Sequence, residues 1–174
     1  MKEQMAEIDS MFKKEYKVVA NLPYYITTPI IFKLLEESKK IKSLTIMVQK
    51  EVAERVCAKA GGKDYGILSV MTQFYSNPSI TRTIGRQMFY PVPNVDSALL
   101  SIKIEGEKFK DVDNQKFSKF IKACFSMRRK TLLNNLSTIF SKEKLKEVLD
   151  EETLRKRAEQ FSLEEFVELF KKLS

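Results

Sequence analysis

The segment Asn21-Leu22-Pro23-Tyr24 limits the possible folds of this chain more than any other feature, because it joins a predicted strand to a predicted helix. The apolar run Val18 to Ala20 predicts a buried strand, and Thr28 with Pro29 predicts the cap and the first residue of a helix. Ligands of open α/β sheets bind outside the carboxyl ends of the strands. The sequence therefore places Asn21 where a ligand would bind.

The residue types in this segment suit the binding of a planar base. The Asn21 side chain offers one carbonyl acceptor and an NH2 donor, Pro23 favours an extended backbone at Leu22, and Tyr24 offers a stacking face. An exocyclic amine could donate to the Asn21 oxygen and the Leu22 carbonyl while its ring lies on Tyr24. The alternative is an ordinary turn before a helix, in which Tyr24 is merely packed.

The composition excludes several classes of protein. With 174 residues the chain can form one ordinary domain, or one with a small satellite. No apolar stretch approaches the roughly 20 residues needed to span a bilayer, and the first residues lack a signal-like apolar core, so we expect a cytoplasmic protein with no membrane partner. The chain has no His, and Cys57 and Cys124 are isolated, which argues against a metal site, a disulfide framework and His-activated nucleophiles.

The distribution of charge favours a polyanionic partner. The formal net charge is +8, and no acidic residue lies between Asn114 and Ser141. A solvated helix face is one interpretation of this segment. The other is a surface that contacts RNA phosphates beside Asn134 and Asn135. The basic residues that would form this surface are Lys116, Lys119, Lys122, Arg128, Arg129 and Lys130.

The remaining pattern predicts alternating strands and helices, then helices alone from about Gly106. Gly61-Gly62 and Asn77-Pro78 are predicted to end two of the helices. The last two strands are predicted to pair antiparallel at a sheet edge. The predicted elements are a helix or an irregular leader over Met1–Tyr16, strands over Leu44–Val48, Ser79–Ile84 and Ala98–Glu105, helices over Glu51–Ala60 and Ile67–Tyr75, and a final helix opened by a Ser162/Glu165 capping box.

Four ordered segments of the chain match one family. They are Asn21-Leu22-Pro23-Tyr24-Tyr25-Ile26-Thr27-Thr28-Pro29, Val48-Gln49-Lys50-Glu51-Val52-Ala53-Glu54-Arg55, Phe89-Tyr90-Pro91-Val92-Pro93-Asn94-Val95-Asp96-Ser97-Ala98 and Phe125-Ser126-Met127-Arg128-Arg129-Lys130-Thr131-Leu132. Chance agreement of four ordered segments in one short chain is improbable. By these segments the chain resembles the ribosomal RNA adenine N6-dimethyltransferases, and more closely their small-subunit branch, from about Lys17 to Leu173.

The resemblance implies an α/β fold, the carboxyl-terminal half of a Rossmann-like S-adenosylmethionine-dependent methyltransferase sheet followed by a small all-α domain. Residues 1–106 would form the partial methyltransferase domain and residues 107–174 a helical rRNA-binding domain. The implied activity is methyl transfer from S-adenosylmethionine to the N6 amines of two adjacent adenines in small-subunit (16S) rRNA. The implied partner is that rRNA, or the 30S pre-ribosomal particle.

The resemblance also implies residue roles. Asn21 and the Leu22 carbonyl would accept hydrogen bonds from the adenine amine, and Tyr24 and Phe89 would close the two faces of the base. Asn21 and Pro23 would border the cofactor. Phe89 has the alternative role of a core residue.

One departure from the family bears on function. Family members begin with a strand and a glycine-rich turn that holds the cofactor, whereas the five glycines of this chain form no Gly-x-Gly after a strand. We therefore expect a carboxyl-terminal portion of such a protein, with weak or no cofactor binding and an exposed apolar edge along Val18 to Ala20. The alternative function is a non-catalytic rRNA-binding or ribosome-assembly module.

Overall fold

A computed structural model describes residues 2–105 and 108–174, and the side chains within its first helix from Met5 onward. The predicted boundary at Gly106 lies outside the described residues. The strands are β1 Tyr16–Asn21, β2 Ile41–Gln49, β3 Ser76–Ile84 and β4 Ser97–Ile104. The helices are α1 Lys2–Ser10, α2 Thr27–Glu37, α3 Lys50–Cys57, α4 Ile67–Tyr75, α5 Asn114–Cys124, α6 Leu132–Leu136, α7 Lys142–Val148, α8 Glu151–Arg155 and α9 Leu163–Leu173, with short 3-10 turns at Tyr24–Ile26, Arg86–Met88 and Ala158–Gln160.

The chain divides into two compact units. The first, here called the sheet unit, comprises Met1–Cys57 and Thr72–Lys108. The second, the helical unit, comprises Ala58–Met71 and Phe109–Ser174. Helix α4 begins in the helical unit and ends in the sheet unit.

The sheet has the order β1-β2-β4-β3, with β1 parallel to β2 and β4 antiparallel to both of its neighbours. The predicted antiparallel pairing of the last two strands is confirmed. In this register Asn21 pairs with Met47, and Ser97 pairs with both Gln49 and Ile84. These strand ends lie together at what is called here the carboxyl end of the sheet, where the loop from β3 to β4 also begins and ends.

Strand β1 is a strand as predicted. The prediction that it is buried is wrong, whereas the prediction of an exposed apolar edge along Val18 to Ala20 is confirmed at Val19. Its residues alternate between half-buried and exposed, and Val19 is 81% exposed. Within the described residues β1 pairs with β2 alone, so one side of the strand has no neighbour. The central strand β2 differs, because its Leu44 and Ile46 are fully buried.

Two predicted helix limits and one predicted strand start are wrong, whereas the helix predicted over Ile67–Tyr75 has those limits. Helix α2 begins at Thr27, one residue before the predicted cap, and the Thr27 hydroxyl donates to the Pro23 carbonyl at 3.0 Å. Helix α3 ends at Cys57 rather than Ala60, ahead of the glycine pair. Pro78 lies within β3, which begins at Ser76; β3 is an edge strand, where a residue without an N–H is tolerated.

A carboxylate network fastens α1 to the turn that precedes β2. Asp9 is buried, and its carboxylate accepts from the Tyr16 hydroxyl at 2.7 Å, the Ser38 hydroxyl at 2.8 Å and the Lys39 backbone N–H at 2.8 Å. Burial by itself would raise the pKa of Asp9, but these hydrogen bonds and the Lys40 charge outweigh it and hold the pKa below its ordinary value. The network fixes where β1 begins.

Aromatic side chains fill the core of the helical unit. The Phe117 and Phe170 rings pack edge to face with their centroids 5.5 Å apart, and the ring centroids of Phe166 and Phe125 are 5.6 Å apart. The predicted capping box is confirmed, because the Ser162 hydroxyl accepts from Glu165 N–H at 3.2 Å and the Glu165 carboxylate accepts from Ser162 N–H at 2.7 Å.

Both cysteines are free thiols. Cys57 is half-buried and Cys124 is buried, and burial raises the pKa of each. Among the described helices, none is long and apolar enough to cross a membrane.

Candidate active site and nucleic-acid interface

Asn21 stands at the carboxyl end of β1, and its side chain is exposed. The next residue, Leu22, has a buried side chain, and its N–H donates to the Met47 carbonyl at 3.2 Å, which extends the β1–β2 pairing by one bond. Within the described part of the chain, neither the side-chain amide of Asn21 nor the backbone carbonyl of Leu22 has a hydrogen-bond partner. Two acceptors are thus left open side by side.

The corner that follows is held by its own backbone. Pro23 has an extended conformation, with φ −59° and ψ 133°, and its carbonyl accepts from the Ile26 N–H at 3.2 Å as well as from the Thr27 hydroxyl. Thr27 is almost fully buried. The corner is therefore anchored from the α2 side, which leaves Asn21 and Leu22 in a fixed position.

Tyr24 lies at the surface rather than in the core. It is 36% exposed, and its hydroxyl forms a 2.8 Å hydrogen bond with the Ser97 hydroxyl. Ser97 is fully buried at the first position of β4. The hydrogen bond leaves part of the ring accessible at the carboxyl end of the sheet.

Phe89 lies in the loop that joins β3 to β4 and is half-buried. Asp96 closes this loop, since its carboxylate accepts from Arg86 N–H at 2.9 Å and its carbonyl accepts from Lys50 N–H at 3.0 Å. The structure thus brings the Phe89 loop to the same end of the sheet as Asn21. No ring contact links Phe89 to Tyr24 among the described residues.

A cleft of about 390 Å³ adjoins this loop. Both signs of charge line it. The positive groups are Lys50 and Arg86, and Lys50 forms a 3.8 Å ion pair with Glu54. The other lining residues are Glu51, Asn94, Val95 and Asp96.

The basic residues predicted to bind RNA are all exposed and fall into two groups. Lys116, Lys119 and Lys122 recur at every third position of α5, on one side of that helix. The other group, called here the basic turn, is Arg128 to Lys130. None of the six forms an ion pair with an acidic side chain in the described ranges.

A buried amide fixes the basic turn. Asn135 is 1% exposed, and its side-chain oxygen accepts from Ser126 Oγ at 3.0 Å and Met127 N–H at 2.8 Å, while its nitrogen donates to the Met127 carbonyl at 3.3 Å. The expectation that Asn135 lies on the phosphate-contacting surface is therefore wrong. Asn134 is exposed. Arg128 also has a local role, because Nη2 donates to the Lys63 carbonyl at 2.7 Å.

Among the described residues, no group of three or more acidic or cysteine side chains is placed to hold a metal ion.

Comparison with known proteins identifies the family. A family model described as ribosomal RNA adenine dimethylase matches residues 1–174.

The chain belongs to the ribosomal RNA adenine dimethylase family.

Curated relatives agree with this membership of the adenine dimethylase family. The chain is 47% identical over 160 residues to the ribosomal RNA small subunit methyltransferase A of Fusobacterium nucleatum, covering 89% of this chain and 60% of the relative. It is 46% identical over 155 residues to the protein of the same name from Clostridioides difficile, covering 86% and 54%. The chain thus spans between half and two thirds of the length of these relatives.

Solved structures confirm the predicted fold class. A dimethyladenosine transferase from Plasmodium falciparum superposes with a TM-score of 0.76 at 27% identity, covering 93% of this chain and 66% of that one. The 23S rRNA methyltransferase ErmE, at 23% identity and a TM-score of 0.63, shares the fold and covers the same fractions. The sheet unit is therefore part of a Rossmann-like methyltransferase sheet.

Three positioning contacts at these sites escaped the sequence analysis. The Tyr24–Ser97 and Arg128–Lys63 bonds join residues far apart in sequence, and no local pattern indicates them. Asn135 could have been found, because it shares one face of α6 with the apolar Leu132 and Leu136.

Proposed function

We propose that this chain is the base-binding and rRNA-binding part of an S-adenosylmethionine-dependent rRNA adenine N6-dimethyltransferase. Its substrate is two adjacent adenines of small-subunit (16S) rRNA, its partner the 30S pre-ribosomal particle, and its place the cytoplasm, where it acts in rRNA processing and ribosome biogenesis. The observation that carries this proposal is the pair of open acceptors at Asn21 and Leu22, next to the accessible Tyr24 ring.

The geometry suits an adenine amine. Two amine hydrogens donate to the Asn21 side-chain oxygen and the Leu22 carbonyl, which directs the lone pair of the nitrogen away from the ring. Tyr24 supports one face of the base, and Phe89, from the loop at the same end of the sheet, covers the other. Taking a base out of its stack costs a few kcal/mol, which aromatic stacking partly offsets.

This chain supplies only one side of a cofactor site. Asn21 and Pro23 would border S-adenosylmethionine at the end of β1, but the sequence contains no Gly-x-Gly after a strand to hold the rest of it. The cofactor, when bound, supplies an electrophilic methyl group on a sulfonium. Asn21 and Leu22 contribute alignment of the amine, an effect of proximity and preorganised dipoles that needs no strong general base.

The helical unit supplies the electrostatic part of RNA binding. The exposed lysines of α5 and the basic turn carry positive charge that no described acidic side chain neutralises. Phosphate contacts of this kind position a nucleic acid without reading its sequence. Residues 107–174 therefore act as the rRNA-binding domain.

The test is methyl transfer by a chimera in which the amino-terminal portion of the Fusobacterium relative precedes this chain. Labelled methyl groups should pass to unmethylated small-subunit rRNA, and Asn21→Ala should lower the rate about 100-fold to 1,000-fold, as loss of a preorganised polar group does. Asn77→Ala is the matched control, because Asn77 is exposed near the start of β3, at the opposite end of the sheet. An Asn21→Ala chimera as active as the control would contradict the proposal.

The second candidate function is a non-catalytic rRNA-binding module. The basic residues of α5 and the basic turn, which no described acidic side chain neutralises, favour it. In that case the 174-residue chain binds rRNA in a salt-dependent way that Asn21→Ala leaves unchanged, and the chimera transfers no methyl groups. Titration calorimetry tests the cofactor site separately. The chain alone should bind S-adenosylmethionine weakly or not at all, and tight stoichiometric binding would contradict the proposal that this chain supplies only one side of the site.

A further inference from the structure

The loop from β3 to β4 exposes large apolar side chains at the carboxyl end of the sheet. Tyr90 is 101% exposed and Met88 is 75% exposed, and Val92 and Val95 are exposed as well. An apolar side chain fully in water contributes nothing to folding through burial. Clusters of such side chains on a soluble protein mark a surface that something else covers.

The loop is held in one shape although its tip is exposed. Its first turn is closed by the Met88 N–H donating to the Gly85 carbonyl at 3.0 Å, and its end by the Asp96 hydrogen bonds described above. Pro91 and Pro93 restrict the backbone in between. A ring presented on such a backbone loses little conformational entropy when it binds.

Tyr90 and its neighbour Phe89 have opposite environments. Phe89 is half-buried, whereas Tyr90 has no part of its side chain covered by the protein. Consecutive side chains therefore present one ring close to the protein surface and one to solvent. If Phe89 covers the adenine held at Asn21, Tyr90 is the next residue of the loop, and its ring is presented to solvent beside that adenine.

We propose that Tyr90 stacks on the unpaired nucleotide next to the adenine held at Asn21, as a positioning residue for the RNA strand. This inference rests on the proposed function. Every base offers a π-face, so an exposed aromatic ring on a rigid loop binds an unstacked nucleotide whatever its sequence. The adjoining cleft brings the cations Lys50 and Arg86 to the same loop, although Glu51, Glu54 and Asp96 share that cleft.

The experiment measures binding of the 174-residue chain to a fluorescent hairpin RNA whose loop carries two adjacent unpaired adenines. Tyr90→Ala should weaken binding about tenfold, within the range for loss of one base–aromatic stack. Tyr90→Phe retains the ring and should bind within about twofold of the parent chain. Met88→Ala is the matched control, since it removes a comparably exposed apolar side chain from the same loop without removing a ring.

Hairpins in which each loop nucleotide in turn is abasic locate the contact. The effect of Tyr90→Ala should disappear when the nucleotide beside the target adenine has no base, and should persist when the target adenine itself is abasic. Equal losses in Tyr90→Ala and Met88→Ala, or a Tyr90→Ala effect that no abasic position removes, would overturn the inference.

The same measurements separate this inference from the proposed function. If Asn21→Ala weakens binding to the parent hairpin and Tyr90→Ala does not, Tyr90 has no such role while the base site at Asn21 stands. If the chain binds the parent hairpin no more tightly than a hairpin whose loop nucleotides are all abasic, both fall, and the exposed loop serves a partner other than RNA.

Discussion

In the sheet unit the candidate groups are single atoms at the end of one strand, the Asn21 amide oxygen and the Leu22 carbonyl, with one ring beside them. In the helical unit they are the charged ends of long, exposed side chains on α5 and the basic turn. Recognition of a base depends on where individual atoms lie, whereas phosphate binding depends on summed charge. Single substitutions should therefore act strongly in the sheet unit and weakly, but additively, in the helical unit.

The largest effect on RNA binding is expected at Tyr24. Tyr24→Ala removes the stacking ring and should weaken binding of a loop adenine by about 1–3 kcal/mol. Tyr24→Phe keeps the ring and loses only the hydrogen bond to Ser97. It should therefore weaken binding of the same adenine by about 0.5–1.5 kcal/mol. Binding of hairpin RNA, compared with its abasic counterpart, gives both values.

Tyr25→Phe is the control for Tyr24, because it deletes a neighbouring hydroxyl from a side chain that is 88% exposed. It should bind like the parent chain. If Tyr24→Ala also binds like the parent chain, the ring does not support a base, and the sheet unit does not recognise RNA through this corner.

The sequence predicted the strands, their order along the chain and the position of Asn21 because those features depend on local periodicity and on a proline-containing corner. The predictions failed where burial or strand position depends on a neighbouring strand that is distant in sequence. The apolar pattern of Val18 to Ala20 predicts a buried strand, but Val19 is exposed, since burial depends on what pairs with the other side of β1. The exposed edge was predicted from the resemblance to the family and not from the local pattern. Pro78 continues β3 because an edge strand does not need its N–H, and local sequence does not reveal which strand is at the edge.

The candidate site shows the same limit. Asn21 to Tyr24 could be identified because they are contiguous, whereas Ser97, which holds the Tyr24 hydroxyl, is 73 residues away. In the helical unit, Asn135 is close in sequence to the residues predicted to contact phosphate, but its place on the apolar face of α6 buries it. A polar residue type indicates what a group can bind, and only its surroundings show which partner it has.

The next largest effect is expected at Asn135, the exception in the helical unit because a single buried amide positions the basic turn. Asn135→Ala leaves Met127 N–H and Ser126 Oγ without their acceptor, so the free energy of unfolding should fall by about 1–3 kcal/mol. Urea unfolding measures this, and RNA binding should weaken at the same time. Asn134→Ala, which removes an exposed amide bonded to Thr131, should leave both nearly unchanged; equal stabilities would show that the turn does not depend on Asn135.

A smaller effect, the pH dependence of the free energy of unfolding, is expected from a buried carboxylate in the sheet unit. The carboxylates with lowered pKa in the helical unit, Asp111 and Asp150, are exposed, whereas Asp9 in the sheet unit is buried. Since the pKa of Asp9 is lower in the folded state, its contribution is complete above the unfolded value of about 3.9 and is lost as the pH falls through the folded value. Asp9→Asn replaces charge-assisted hydrogen bonds by neutral ones and should reduce stability at neutral pH by about 1 kcal/mol.

Urea unfolding of the parent chain and of Asp9→Asn, at neutral pH and below pH of about 4, checks the sign. The difference between the two proteins should shrink towards acid pH. A difference that is constant or grows on acidification would mean that the Asp9 charge does not stabilise the fold.

The smallest effect is expected from single charges of the basic turn, where the helical unit should behave as a sum. Arg129→Gln should weaken RNA binding modestly and reduce the slope of log affinity against log salt by about 0.7–0.9, the value of one phosphate contact. Arg129→Gln combined with Lys130→Gln should reduce the slope by about twice as much, because neither side chain has a described ion-pair partner to compensate. Lys142→Gln, an exposed lysine at the start of α7, is the matched control and should leave the slope unchanged. If the double variant loses no more than Lys142→Gln, the basic turn does not contact phosphate, and the α5 lysines would have to account for RNA binding by the helical unit.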